Sequence, residues 1–117
     1  MPYLQINGLK LHYVEKGSGE PVLLLEGAYG TAETQWLEQT ISLSKEFKCV
    51  AFDFRGHGKS ELPTNEITRD LLVKDTLKLL DCLSIDKTHL CGFSLGASVA
   101  MRLSLILEER VKSLILC

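Results

Sequence analysis

No apolar run in this chain approaches the roughly 18 residues that a membrane-spanning helix requires. The N-terminus lacks a charged stretch followed by an apolar one, so no secretory leader is read there. Basic residues are not in excess: 13 Lys and Arg stand against 15 Asp and Glu, a net charge of −2 with a pI near 5.9. That balance argues against a nucleic-acid partner, which needs a basic surface. The four cysteines (Cys49, Cys82, Cys91, Cys117) form no C-x-x-C pair, and no His lies at zinc spacing from them. They are expected to be buried, reduced thiols, with no metal site. Linkers, repeats and low-complexity segments are also missing. With 45% apolar residues in 117, the expectation is one compact domain over residues 1–117, soluble and cytoplasmic, with no membrane partner.

What is there reads as alternating strands and helices. Tyr3 to Ile6 and Leu9 to Val14 are extended runs, and Asn7-Gly8 between them suits a type I′ hairpin turn. Pro21-Val-Leu-Leu-Leu and Cys49-Val-Ala-Phe are apolar without alternation, the mark of strands covered on both faces. A helix is expected from about Ala32 to Ser44, with Trp36, Leu37, Thr40 and Ile41 on one side. A second runs from about Thr68 to Leu83, with Asp70, Lys74, Lys78 and Asp81 opposite Leu72, Val73, Leu77 and Leu80. Thr88 to Cys91 is a strand, and Leu95 to Glu108 a helix apolar nearly all round (Val99, Ala100, Met101, Leu103, Ile106, Leu107), expected to be deeply buried. Val111 to Cys117 is a last strand. This alternation implies a parallel sheet with helices on its faces.

The strongest chemical signal is Gly92-Phe-Ser-Leu-Gly96, a G-x-S-x-G between a strand and a helix. A nucleophilic Ser94 there stands on a sharp turn with its hydroxyl exposed. The glycines relieve crowding, and the helix N-terminus offers backbone N–H groups to developing negative charge. The plainer reading is a Ser that caps the helix; the strand before it and the apolar helix after it favour the nucleophile.

A second motif, Asp53-Phe-Arg-Gly-His-Gly-Lys-Ser60, resembles the D-x-R-G-x-G-x-S loop of α/β-hydrolases. Leu23-Leu-Leu-Glu-Gly-Ala-Tyr-Gly30 is similar to that family's strand followed by H-G-x-x-G. With the hairpin, the resemblance covers the whole chain, from the family's first strand to its sixth, and is closest to small esterases, lactonases and C–C-bond hydrolases. It implies a truncated α/β-hydrolase fold. This is a three-layer α/β/α sandwich with a mostly parallel sheet in the order 1-2-4-3-5-6 and an antiparallel N-terminal hairpin. It further implies a serine hydrolase acting on carboxylic esters or related acyl substrates, with no cofactor. Ser94 is then the nucleophile, the backbone N–H groups of Leu95 and Ala28 form the oxyanion hole, and Asp53 and Arg55 brace the surrounding loops. Ser at 94 argues against haloalkane dehalogenases and epoxide hydrolases, which resemble this fold but use Asp there.

Two rival readings fail on the residues. Gly58-Lys-Ser60 mimics the end of a phosphate-binding P-loop, but that motif needs Gly where Asp53 stands and a helix where Glu61-Leu-Pro follows. Gly27-Ala-Tyr-Gly30 is not the G-x-G-x-x-G of dinucleotide folds.

Two departures from the family pattern matter. The family's acid and His follow the Ser along the chain, yet Leu95 to Cys117 contains no His. Of the three that precede it, His12 is expected on an exposed or half-buried strand position and His89 packed, while His57 is the candidate surrogate base. Full activity then needs a base from outside the chain, and a catalytically inactive fragment that folds or self-assembles is the alternative. Glu26 stands where the family has His. It is either a tolerated residue at a partly exposed strand end or a carboxylate that modulates the oxyanion site. The final strand reads as an unprotected edge, so residues 112 to 117 are expected to recruit a second copy or a complementing C-terminal half.

Overall fold

The computed structural model describes residues 3–27, 30–64 and 66–117. It begins with β1 (Tyr3–Ile6) and β2 (Leu9–Lys16), an antiparallel pair in which Ile6 faces Leu9 across a two-residue turn. Asn7 (φ 48°) and Gly8 (φ 84°) supply the two positive φ values that a type I′ turn requires. Next come β3 (Glu20–Leu25), two short helices α1 (Ala32–Gln35) and α2 (Leu37–Leu43), and β4 (Phe47–Phe52). Then follow α3 (Arg69–Cys82), β5 (Thr88–Gly92), α4 (Leu95–Ile106) and β6 (Val111–Leu116). The six strands form one sheet in the order β1-β2-β4-β3-β5-β6, antiparallel over β1-β2-β4 and parallel from β4 to β6. This is the sheet order that the motifs imply.

Alternation along the central strands sends side chains to two cores. Leu23, Leu25, Val50, Phe52 and Leu90 join Leu72, Leu79, Val99 and Leu103 beneath α3 and α4. Val22, Leu24, Cys49, Ala51 and Cys91 pack with Ala32 and Trp36 on the other face. Each large aliphatic side chain so buried contributes about 1.5–3 kcal/mol. α3 starts where Thr68 Oγ1 accepts the Leu71 N–H at 3.2 Å, and its polar face is exposed as the spacing requires.

Three details differ from the sequence reading. The helix expected over 32–44 is broken at Trp36, whose backbone (φ −107°, ψ 17°) leaves the helical region as its indole turns into the core. Leu37 and Ile41, expected beside it, are left half exposed. α4 buries one face only. Met101, Leu105 and Ile106 are 51%, 76% and 60% exposed, because among the described residues nothing covers them. All four cysteines are free thiols, but only Cys49 and Cys91 are buried; Cys82 closes α3 on its solvent side and Cys117 lies beyond the edge strand. Among the described residues no helix is long and apolar enough to cross a membrane.

Candidate active site

The sheet register brings three strand ends to one level. Leu25 pairs with Phe52 on one side and with Gly92 on the other. Glu26, Asp53 and Phe93 are therefore the first residues beyond β3, β4 and β5, and Ser94 is the next. The carboxyl ends of parallel strands are where open α/β sheets place their ligand sites.

Ser94 has φ 53° and ψ −109°, a conformation that costs a non-glycine residue on the order of 1–3 kcal/mol. Four backbone bonds hold it. Phe93 N–H donates to Leu25 O (3.1 Å), Ser94 N–H to Cys117 O (3.0 Å), Gly96 N–H to Phe93 O (2.9 Å) and Ser98 N–H to Ser94 O (3.2 Å). The turn is tight enough that a Cβ on Gly92 would strike the Gly96 carbonyl, and one on Gly96 would strike the carbonyl of Leu25. Only glycine fits at either place. Ser94 occupies the N-cap position of α4, yet its side chain makes no capping bond and the residue is exposed. Leu95 opens the helix, so its N–H has no intrahelical acceptor and points with the positive end of the helix dipole.

Ala28, the second expected oxyanion donor, lies outside the described residues. Gly27 N–H donates to Gln35 Oε1 (2.8 Å) and Gly30 N–H to Gly27 O (3.1 Å).

Asp53 is buried and accepts three bonds. Its Oδ1 takes the Ala32 N–H at 2.7 Å; its Oδ2 takes the Lys59 N–H at 3.0 Å and meets His12 Nδ1 at 2.9 Å. The carboxylate thus joins β2, α1 and the 53–60 loop. Arg55 reaches the opposite core, where Nε and Nη2 grip Asp75 at 2.7 and 2.8 Å. Asp75 is fully buried, and Asn7 also donates to it, at 3.1 Å. The Asp75 carboxylate holds the Arg55 guanidinium above its ordinary pKa.

Glu26 is fully buried rather than partly exposed. Its Oε1 accepts the Phe54 N–H at 2.9 Å, while its Oε2 has no partner among the described residues. Burial pushes its carboxyl up to about 8, and the neighbouring Asp53 charge adds to the rise, against the Phe54 N–H.

Each histidine is engaged elsewhere than at Ser94. His12, expected to be exposed or half-buried, is 1% exposed and bound to Asp53; its Nε2 lies 3.6 Å from Glu33. His57 meets Arg55 O through Nδ1 at 3.0 Å and stands edge-on to Phe54. His89 is half-buried between Ser113 (2.7 Å) and Glu20 (2.9 Å). Sequence reasoning missed His12, Gln35 and Asp75. Asp75 alone left a trace, as a carboxylate among the apolar positions of α3. The groove of about 470 Å³ between α3 and α4 is lined by Asp70, Val73, Leu77, Arg102, Leu105 and others, and touches none of these loops.

The comparisons agree with this geometry. A family model for the alpha/beta hydrolase fold matches residues 20–117. The 3-oxoadipate enol-lactonase 1 of Acinetobacter baylyi is 33% identical over 80% of the chain and 35% of its own length. Human serine hydrolase BPHL is 38% identical over 82% of the chain and 35% of its own length. The crystal structure of epoxide hydrolase VrEH1 from Vigna radiata superposes with a TM-score of 0.92 at 33% identity, covering 98% of this chain and 38% of that one. The chain thus spans little more than a third of the length of these relatives. On the family match, the sheet order and the strained Ser94 turn together, the chain belongs to the α/β-hydrolase fold family.

Proposed function

We propose that this chain carries the nucleophile and both oxyanion donors of a serine hydrolase for carboxylic esters or related acyl compounds. The observation that carries the reading is Ser94 itself. It is exposed, held at φ 53° between β5 and α4, not spent on capping, and followed by the unpaired first amide of a helix. In the reaction, Ser94 Oγ attacks the acyl carbon while a base takes its proton, and the carbonyl oxygen becomes an oxyanion that the Leu95 N–H receives. The tetrahedral intermediate expels the alcohol, which leaves with a proton, and water then releases the acid from the acyl-enzyme. Ala28 N–H is the second donor in this scheme, and Asp53 and Arg55 brace the loops without touching substrate. A lactonase and a serine hydrolase among the relatives support the acyl class, and Ser rather than Asp at position 94 weighs against epoxide opening.

The base is the missing part. His12, His57 and His89 all have other partners, so in this reading the proton acceptor comes from polypeptide that packs on the outer edge of β6, whether a second copy or a complementing C-terminal half. Supporting this, β6 exposes Leu114, Ile115 and Leu116 at 38%, 52% and 44%, so both of its faces are open as well as its edge. The same engagement of the histidines favours the second reading, a fragment that folds or assembles without catalysis. A fluorophosphonate probe separates them: labelling of wild type but not of Ser94→Ala supports the nucleophile, and equal absence of labelling supports the inert fragment. Light scattering tests the edge, where a clean monomer at high concentration would remove the second-copy form of the proposal.

A further inference from the structure

Toward the opposite ends of the strands from Ser94, polar side chains of β3, β5 and β6 meet in a chain of hydrogen bonds. Ser113 Oγ lies 2.7 Å from His89 Nδ1, and His89 Nε2 lies 2.9 Å from Glu20 Oε2. Lys112 Nζ reaches the other oxygen of that carboxylate, Oε1, at 2.9 Å.

The strand register builds the cluster. His89 pairs with Val22 of β3 and with Ser113 of β6, so all three project from the sheet face that packs against Ala32 and Trp36. Glu20, two residues before Val22, projects from that face too. Between the Thr88–Val111 and His89–Ser113 pairs, β6 carries one extra residue, Lys112. Such a bulge is rare in parallel pairing and re-aims side chains; here Lys112 and Ser113, adjacent in sequence, both reach the same group. Phe47 holds the imidazole edge-on, with ring centres 5.8 Å apart. Ser113 and Glu20 are exposed and His89 is half-buried, so the cluster is open to solvent.

The hydrogen positions follow from charge. Bonds from His89 and Lys112 hold the Glu20 carboxyl below the usual carboxylate range, so at neutral pH it is an anion that can only accept. His89 Nε2 then carries the hydrogen of the neutral ring, Nδ1 keeps its lone pair, and Ser113 O–H donates to it. A hydroxyl on the lone pair of an imidazole that a carboxylate holds is the arrangement that activates a serine. The next residue adds a donor. Cys117 N–H and C=O both bond to the β5 side, at Gly92 and Ser94, so by alternation Leu114 N–H faces the open edge of the sheet.

We propose that Ser113, His89 and Glu20 form a second nucleophile site, independent of Ser94, that takes acyl groups from activated esters such as aryl esters and thioesters. Ser113 Oγ bonds to the acyl carbon as His89 Nδ1 takes its proton, with Glu20 steadying the imidazolium and Leu114 N–H receiving the oxyanion. Collapse breaks the bond to the leaving oxygen or sulfur, which departs with the proton from His89, and acyl-Ser113 remains. A single amide on open surface gives little help to a poor leaving group, which restricts the site to activated donors. Glu20 is a positioning residue, acting through His89.

Treatment of the whole chain with p-nitrophenyl acetate, followed by tryptic mapping with fragmentation, tests the site. Trypsin cuts after Arg102 and Lys112, so Ser94 and Ser113 fall on different peptides and are read apart. Ser113 should be acetylated at least about tenfold faster than Ser18 and Ser84, which are exposed in the same molecule. His89→Ala should erase that advantage. Glu20→Gln keeps an acceptor for Nε2–H but loses the charge, so it should slow Ser113 and move the pH profile of its acetylation toward acid, with the urea midpoint unchanged. Ser113 reacting no faster than Ser18 and Ser84 would overturn the proposal, and so would equal Ser113 rates in wild type and His89→Ala. A pH profile that stays in place in Glu20→Gln would overturn the role of Glu20.

Discussion

Replacing Glu26 by glutamine should turn a pH-dependent stability into a nearly pH-independent one, and the size follows from the burial of this one carboxyl. The acid titrates near 4.5 when exposed and near 8 in the folded chain. Between those values the folded state holds a proton that the unfolded state has released, so stability falls as pH rises. It is greatest below about 4.5 and levels off above about 8. A difference of about 3.5 units at about 1.36 kcal/mol each is on the order of 5 kcal/mol. The glutamine side chain of Glu26→Gln keeps the acceptor for Phe54 N–H and removes the charge, while its NH₂ adds one more unmet buried donor, about 1 kcal/mol at every pH. The two stability curves should therefore cross near pH 5. The variant should be about 1 kcal/mol weaker at pH 4.5 and about 4 kcal/mol stronger at pH 8 and beyond.

Urea denaturation of both proteins at half-unit steps from pH 4.5 to 9 measures this directly. Subtraction cancels every other carboxylate and histidine, because both chains carry them. The midpoints should diverge steadily from pH 5 to 8 and run parallel above. A difference that stays constant with pH, or that grows toward acid, would show that Glu26 is ionised in the folded state. The account of its surroundings would then be wrong.

The buried Arg55–Asp75 pair should behave as a unit: Arg55→Ala or Asp75→Ala alone costs about 3–5 kcal/mol in urea, whereas Arg55→Met with Asp75→Leu recovers most of that. Additive losses would refute the coupling. Gly96→Ala, which drives a methyl group into the Leu25 carbonyl, should cost about 1–3 kcal/mol and lower Ser94 labelling with it; an unchanged urea midpoint would refute the close contact. The chain alone should hydrolyse activated esters only, with roughly the 10³- to 10⁴-fold residue over water that binding and an oxyanion hole retain without a triad. Rates on unactivated esters like those of ordinary esterases would show a base already in place, and His57→Ala would be the first variant to make. The Ser94 amide, bonded to Cys117 beyond an edge strand, should exchange at least tenfold faster than that of Leu90 on β5. Equal protection would mean that β6 is as firmly held as the centre of the sheet.

Much of the fold was legible because its signals are local. Asn7-Gly8 specifies its own turn, and the unbroken apolar runs at 21–25 and 49–52 declare strands covered on both faces. Gly92 and Gly96 are required by contacts within a few residues of Ser94 and the strand beside it. The misreadings share the opposite property. Glu26 follows three leucines and precedes a glycine, which is how an exposed strand end is written. What buries it is the Phe54 amide, brought over by the β3–β4 register. His12 alternates like any strand residue, and only the Asp53 side chain from another strand makes it a buried polar anchor. α4 was expected to be covered on every side because it is apolar on every side. Composition states what a helix could bury and says nothing of whether a neighbour is present to bury it.

The same register explains why so much chemistry collects in so few residues. Three parallel strands end together at Leu25, Phe52 and Gly92, and the next residue on each leads out of the sheet. One of these positions leads into the turn to α4, one into the Asp53 loop and one into Gly27. Asp53 ties its loop to β2 and α1, Glu26 ties that loop to β3, and Phe93 N–H ties the Ser94 turn to the carbonyl of Leu25. The strained φ of Ser94 is sustained by this closed set of bonds rather than by any one of them. Its remaining support, the bond to Cys117, comes from the side of the sheet that nothing covers among the described residues. Polypeptide added along β6 would therefore act on Ser94 directly, through one hydrogen bond, before contributing any side chain to the site.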